Sequence, residues 1–384
     1  MTRCPGANKK GILPIALIAL ALFSLPVDTA NAATMMEYAA TETVTTVSAK
    51  RILQQLEKGD ALISYFQDTH RTLAWVLCNG VISAVSIPVE SKELSDLIAG
   101  YRRAIASREQ DRTAALGKQL SNLLILPAKE KIVQNGRLLI VPSRSLHYLP
   151  FSSLPLSDGR FLVQDHAMII LPNASSLLFL DKKITDDRET LFAMGNPARG
   201  KGQQSLPYAE KEVQTIAKGF PRKTVLIGKE ATESKFKERN LMDTGIIHVA
   251  AHGEYDAGQP LKSALLLARD RNNDGNLETY EVFSLNMNPR LVVLSACQSG
   301  LGKVEGGDEV QGLNRAFLYA GAGGVLASLW SVADEQTFQL MEYFYGNLGS
   351  RKPAEALQAA QLRLMEQYPS PFYWSPFYLT GGLK

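Results

Sequence analysis

Residues 245–253, GIIHVAAHG, and residues 291–300, LVVLSACQSG, decide the fold. Each opens as a run of β-prone, largely apolar residues without regular polar alternation, the pattern of a strand buried on both faces. Each then runs straight into a reactive side chain, His252 in one and Cys297 in the other. Strands of this kind belong to parallel sheets covered by helices, and in such sheets ligands gather at the carboxyl ends of the strands. If the two strands are neighbours, imidazole and thiol meet at one rim. That is what a thiolate nucleophile needs: a base within hydrogen-bond reach that lowers the thiol pKa and later protonates a leaving amine. Gly253 leaves its backbone N–H unshielded and the N–H of Cys297 starts a turn, so the two amides are candidate oxyanion donors. The plainer alternative is that Cys297 is a small core residue closing a buried strand. His248 lies inside the strand and reads as a packed or hydrogen-bonded core residue rather than a metal ligand.

Outward from these runs the pattern repeats. RLLIV at 137–141, LFAM at 191–194, residues 225–227, 265–267 and GVLASL at 324–329 are further strands. Residues 208–218, 233–241, 309–319, 334–348 and 354–367 are the helices between them. The fold class is therefore α/β, a three-layer sandwich with a mostly parallel central sheet, spanning residues 131–384. Before it, residues 33–130 read as a small α+β unit: Asn79-Gly80 is a hairpin signal between two β-prone runs, followed by helical spacing over 91–107 and 114–126. The polar, glycine-rich stretches 199–204, 270–276 and 299–309 read as surface loops. FYWSPFY at 372–378 reads as a core strand, and no internal repeat is found.

Composition excludes several classes. The chain has 384 residues, 45% apolar and 21% charged, which is ordinary globular protein and not a disordered or collagen-like chain. Residues 1–32 read as an export signal: Lys9 and Lys10 ahead of an apolar run from Ile12 to Val27, then Ala30-Asn31-Ala32 as a small-x-small cleavage site. The run is too short and too proline-broken for a membrane span, so the expectation is an exported, periplasmic or extracellular protein with no stable span after cleavage. The remaining 352 residues carry 38 basic and 37 acidic side chains, a balance that gives nucleic acid no electrostatic footing. Cys78 and Cys297 remain after cleavage, each ending a separate strand-like run, and are expected not to pair.

The segments IIHVAAHGEYDAGQPLKSALLLA, LVVLSACQSGLG, GLNRAFLYAGAGGVLASLWSVADEQT, AEALQAAQLRLM and FYWSPFYLTGG closely resemble the CHAT family of caspase-like cysteine peptidases, relatives of separase. LLIVPSRSLHYLPFSSLP, LPNASSLL, MGNP and LPYAEKEVQTIA resemble that domain's upstream half, so the resemblance covers roughly residues 50 to 384. It implies a caspase-hemoglobinase fold, His252 and Cys297 as a catalytic dyad, a protein or peptide substrate, no required cofactor, and an activating partner protein as a further expectation. Asp334, in LWSVADEQT, falls where separase-like relatives carry an acid that receives a basic substrate side chain. The other reading of Asp334 is a cap on the helix that follows it.

One motif stands outside this frame. From Asp270 to Glu281, DRNNDGNLETYE fits the calcium-loop spacing at every specified position, with Asp270, Asn272, Asp274, Asn276 and Glu281 as candidate ligands and Gly275 at the sharp turn. The strand-like SALLLA ahead of it leaves no entering helix.

Overall fold

A computed structural model of the chain describes residues 47–132, 136–180, 189–200, 204–239, 241–296, 299–305, 309–331 and 333–382. The expected signal segment 1–32 and Cys297 itself lie outside the described residues. Side chains at 179–180, 303–305 and 309–311 are likewise outside them.

Helix α1 (Ala49–Leu53) leads into the hairpin strands β1 (Ala61–Gln67), β2 (Thr72–Cys78) and β3 (Val81–Ile87), then α2 (Ser91–Ala106) and α3 (Gln110–Leu124). Strands β4 (Arg137–Val141), β5 (Ala167–Ile170) and β6 (Thr190–Gly195) precede α4 (Pro207–Ile216), β7 (Arg222–Ile227) and α5 (Glu233–Lys237). Next come β8 (Ile246–Glu254), β9 (Ala264–Leu266), β10 (Asn276–Glu278), α6 (Thr279–Phe283) and β11 (Leu291–Ala296). The chain continues through the small hairpin β12 (Lys303–Glu305) and β13 (Glu309–Gln311), α7 (Leu313–Ala320) and β14 (Gly324–Ser328). Helices α8 (Asp334–Leu348) and α9 (Pro353–Gln367) and strand β15 (Phe377–Gly381) complete it.

One sheet runs in the order β10-β9-β8-β11-β14-β15-β5-β4-β1-β2-β3, with β6 and then β7 branching from β8. Its middle is parallel: β7, β6, β8, β11 and β14 share one direction. Residues of β11 and β14 are buried throughout, which explains their unbroken apolar sequences. Alternation along each strand splits the core into layers. Ile246 and Ala250 of β8 pack with α4, α8 and α9, whereas Ile247, Val249 and Ala251 pack with α5, α6 and α7. This is the expected three-layer α/β sandwich. At its other end, Leu138 and Ile140 of β4 face α2 and α3.

The stretch read as a separate N-terminal unit shares this sheet, because β1 pairs in parallel with β4, Ala61 opposite Leu138 through Ser64 opposite Val141. An ion pair ties the same junction. Arg137 on β4 and Asp60 just before β1, 7% and 5% exposed, form a two-pronged bond of 2.9 and 2.7 Å, with Glu57 at 3.1 Å. The turn at Asn79 (φ 49°) and Gly80 (φ 78°) is the expected hairpin.

Several boundaries differ from the sequence reading: the helix expected over 233–241 ends at Lys237, the strand expected over 225–227 begins at Arg222, and three further differences have a local cause. The helix expected over 309–319 begins only at Leu313, because residues 309–311 pair antiparallel with 303–305. FYWSPFY is divided into a helical turn, Pro371–Trp374, and the start of β15. The strand expected to end at Ala251 continues to Glu254, because at His252 it takes a new antiparallel partner, β9. Cys78 is buried and unpaired. Among the described residues no helix is long and apolar enough to cross a membrane.

Candidate active site

Strands β8 and β11 are parallel neighbours in a register that runs from Ile246 opposite Leu291 to Ala251 opposite Ala296. The next residues along the two chains are His252 and Cys297. Side chains four apart on a strand share a face, so His248 and His252 both point toward the layer holding α4 and α8. Their environments differ. His248 is wholly buried, with Nε2 2.7 Å from Glu212 Oε1 on α4 and Nδ1 3.0 Å from the Tyr345 hydroxyl on α8. It is the hydrogen-bonded core residue expected from the sequence.

His252 is half-buried, and its Nε2 lies 2.8 Å from the carbonyl oxygen of Gln204. A carbonyl only accepts, so Nε2 carries the hydrogen and, in the neutral ring, Nδ1 keeps its lone pair. A base with a fixed tautomer costs no reorganisation when a proton arrives.

Two side chains hold the segment that supplies this carbonyl. Asn196, directly after β6, adopts the left-handed backbone (φ 48°) that asparagine tolerates better than most residues. Its N–H donates to the Ala250 carbonyl on β8 at 3.0 Å, and its Oδ1 accepts from the Leu206 N–H at 2.8 Å. The second is Asp334. It occupies the first position of α8 and makes no capping bond there. Its Oδ2 instead accepts from the Tyr208 N–H at 2.9 Å, and the Ala209 N–H donates to it as well, so it caps α4. Burial raises its pKa above the usual carboxylate range, the two N–H donors oppose this, Glu212 adds to the rise, and nearby His252 lowers it. Asp334 is therefore within electrostatic reach of the imidazole. The cap exists, but on a neighbouring helix rather than its own.

On the β11 side, the chain before and after residues 297–298 is pinned. Ala296 O accepts from the Ser328 hydroxyl at 2.7 Å, and the Ser299 hydroxyl donates to Leu294 O at 3.1 Å. Gly300 N–H donates to Ser328 O at 2.8 Å, and Gly300 O accepts from the Tyr378 hydroxyl at 2.7 Å. A Cβ at Gly300 would stand 2.5 Å from the Tyr378 ring and 2.9 Å from Ser328 O, so only glycine fits there. Tyr148 donates from its hydroxyl to Gly302 O at 2.5 Å. Gly253 lies opposite Leu265 in the β8–β9 ladder.

The calcium-pattern residues are distributed among other partners. Asp270 accepts from the Ser234 N–H and hydroxyl at the start of α5 and from the N–H groups of Asn272 and Asn273. Hydrogen bonds led by the Asn272 N–H lower its pKa to about 2. Asp274 accepts from Asn276, and the Oδ1 of Asn276 accepts from Arg199 at 2.6 Å. Glu281 caps α6 through the Glu278 N–H. Its other oxygen is 2.6 Å from Lys237 Nζ, which also meets Glu233 at 2.5 Å and Asn273 at 3.1 Å. An ammonium therefore stands between the two carboxylates. Among the described residues, no three carboxylate, histidine or cysteine side chains are gathered closely enough to hold a metal. Gly275, at φ 84°, makes the expected sharp turn, its N–H bonded to Glu233.

Comparison with known proteins agrees with this architecture. A sequence model of the CHAT domain matches residues 114–382. Tetratricopeptide repeat protein 28 of Homo sapiens is 23% identical over 323 residues, covering 69% of this chain but only 13% of that protein. Its Mus musculus counterpart is 31% identical over 126 residues, 32% of this chain and 5% of the relative. The chain thus spans a small fraction of the relatives it matches. Among solved structures, the Saccharomyces cerevisiae separase–securin complex superposes with a TM-score of 0.61 at 11% identity, covering 92% of this chain and 31% of that one. At that identity the likeness concerns the fold.

Proposed function

The chain belongs to the CHAT domain family, and from that premise we propose that it is a cysteine endopeptidase with Cys297 as nucleophile and His252 as base. The observation that carries the reading is the β8–β11 register, which ends with Ala251 opposite Ala296, one residue short of each proposed catalytic side chain on adjacent parallel strands. The Gln204 carbonyl supports it by leaving Nδ1 of His252 as the proton acceptor.

In the proposed reaction the Cys297 thiol gives its proton to His252 and the sulfur attacks the scissile carbonyl carbon. The amides of Gly253 and Cys297 donate to the resulting oxyanion, each worth about 3 kcal/mol where such donors have been removed one at a time. Collapse of the tetrahedral adduct breaks the C–N bond, and the imidazolium protonates the leaving amine. Water, deprotonated by the same imidazole, then hydrolyses the thioester and restores the thiol. A preference for Lys or Arg before the cleaved bond is part of the proposal, through Asp334, as are export and control by a partner protein. Separase in complex with securin is a precedent for a protein partner bound by this fold.

The experiment is hydrolysis of a fluorogenic Lys and Arg peptide library by the purified chain in reductant, beside Cys297→Ala and His252→Ala. Activity persisting in Cys297→Ala overturns the mechanism. Alkylation decides a silent scaffold from a poised enzyme: a reactive Cys297 labels with iodoacetamide well below the ordinary thiol pKa of about 8.5, and His252→Ala abolishes that advantage.

A further inference from the structure

Arg102 on α2 is a half-buried cation that has no carboxylate partner among the described residues. Its Nη2 donates to the Leu329 carbonyl at 3.0 Å, and its guanidinium carbon stands 5.6 Å from the centre of the Tyr148 ring. The Nε is buried without an acceptor, and among the described residues no carboxylate lies within ion-pair distance of the group. Arg137, buried in the same domain, has two. Desolvation lowers the pKa of Arg102, and the titratable groups beside it are the phenols of Tyr148, Tyr378 and Tyr255. A guanidinium offers five N–H donors in a planar fork shaped for a carboxylate. Taking that charge out of water unpaired is costly, and a carboxylate arriving from outside recovers the cost through short charge-assisted bonds.

Leu329 follows Ser328, whose hydroxyl holds the carbonyl of Ala296, the residue before Cys297. Tyr255 lies three residues past His252, and its hydroxyl bonds Tyr148. The fork therefore adjoins the ends of both strands of the proposed dyad, on the face lined by α2. We propose that Arg102 binds an acidic side chain of the peptide substrate, a Glu or Asp flanking the scissile bond, through a two-pronged carboxylate contact beside Tyr148 and Tyr255. The peptide nature of the ligand rests on the peptidase reading, whereas its negative charge rests on Arg102.

The test uses octapeptides containing one Lys and a single Glu walked through the other positions, with a matching Gln set. In the full Cys297→Ala chain, phenylglyoxal labelling of Arg102 is mapped by mass spectrometry. Protection by Glu peptides at one position, absent with their Gln counterparts, is expected. With Cys297 intact, the same position should favour Glu over Gln in kcat/KM by about 10- to 100-fold, a ratio that falls to near one in Arg102→Gln. Labelling unaffected by every Glu peptide overturns the proposal, and so does a Glu preference that survives Arg102→Gln. Protection without hydrolysis of any peptide upholds the carboxylate site and removes the peptidase reading. Hydrolysis without protection does the reverse. Because labelling uses the native arginine, a variant that fails to fold leaves the decision intact.

Discussion

Nε2 of His252 is held 2.8 Å from the carbonyl oxygen of Gln204, a residue 48 positions earlier in the chain. The bond costs no side chain and selects the tautomer, but it places the burden of geometry on whatever holds the Gln204 segment.

Asn196 bears much of that burden through its bonds to Ala250 and Leu206. Asn196→Ala is expected to lower kcat by about 10- to 100-fold with little change in KM, the scale on which a small misplacement acts. Asn196→Asp, which keeps the acceptor for Leu206, should recover most of the loss. Steady-state kinetics on the Lys and Arg peptides decide it, and a change confined to KM would count against a role in orienting His252.

The observed cap and the proposed specificity role of Asp334 can be tested separately. Asn is as good a cap as Asp, so Asp334→Asn should leave thermal stability nearly unchanged while Asp334→Ala costs about 1 kcal/mol. If the carboxylate also receives a basic side chain, Asp334→Asn reduces hydrolysis of Lys and Arg peptides by about tenfold or more. Equal rates for wild type and Asn would leave it a cap alone.

The Arg137–Asp60 pair governs stability at the β1–β4 junction. Asp60→Ala removes the two-pronged partner of a buried guanidinium and leaves it Glu57, and is expected to cost on the order of 2–3 kcal/mol, whereas the double replacement Asp60→Leu with Arg137→Met should cost less than the single one. Urea denaturation of the three proteins measures this.

His166 is 4% exposed, its Nδ1 3.0 Å from the Gly136 carbonyl, and burial lowers its pKa despite that bond. The unfolded chain takes up a proton near the ordinary value of about 6.5 while the folded chain does not, so stability falls as pH drops below that value toward the depressed folded pKa. Melting temperatures from pH 7.5 to 5 should decline, and His166→Gln should flatten the upper part of that decline. A wild-type profile unchanged by the substitution would assign the loss to other groups.

With Lys237 already between Glu233 and Glu281, millimolar calcium or a chelator should move the melting temperature of the wild type by no more than about 1 °C, since only selective binding to the folded state stabilises it. A rise of several degrees would restore the calcium loop. Lys237→Met leaves two carboxylates facing each other and should destabilise the 270–281 segment, read as faster amide exchange there.

Much of the architecture was legible because β8, β11 and β14 are buried on both faces and are written in apolar residues with turn signals after them. Helix α8 begins and ends where its pattern predicted. The supports of the site were not legible. Gln204 acts through a carbonyl, which no side chain announces, and Asn196 acts by a conformation visible only in φ. The continuation of β8 past Ala251 depends on a partner strand that follows it in the chain. The calcium spacing was satisfied locally, yet the cations that occupy the loop's oxygens, Lys237 and Arg199, come from 36 and 77 residues away from the Asn273 and Asn276 groups they bond.

The family match begins at residue 114, inside α3, and so leaves out β1, β2 and β3. Since β1 hydrogen-bonds along β4, a fragment cut to the matched limits would bare a strand whose residues are all buried in the full chain. Such an open flank invites pairing between molecules. For expression and crystallisation, the smallest practical unit starts near Val47, and shorter versions should precipitate.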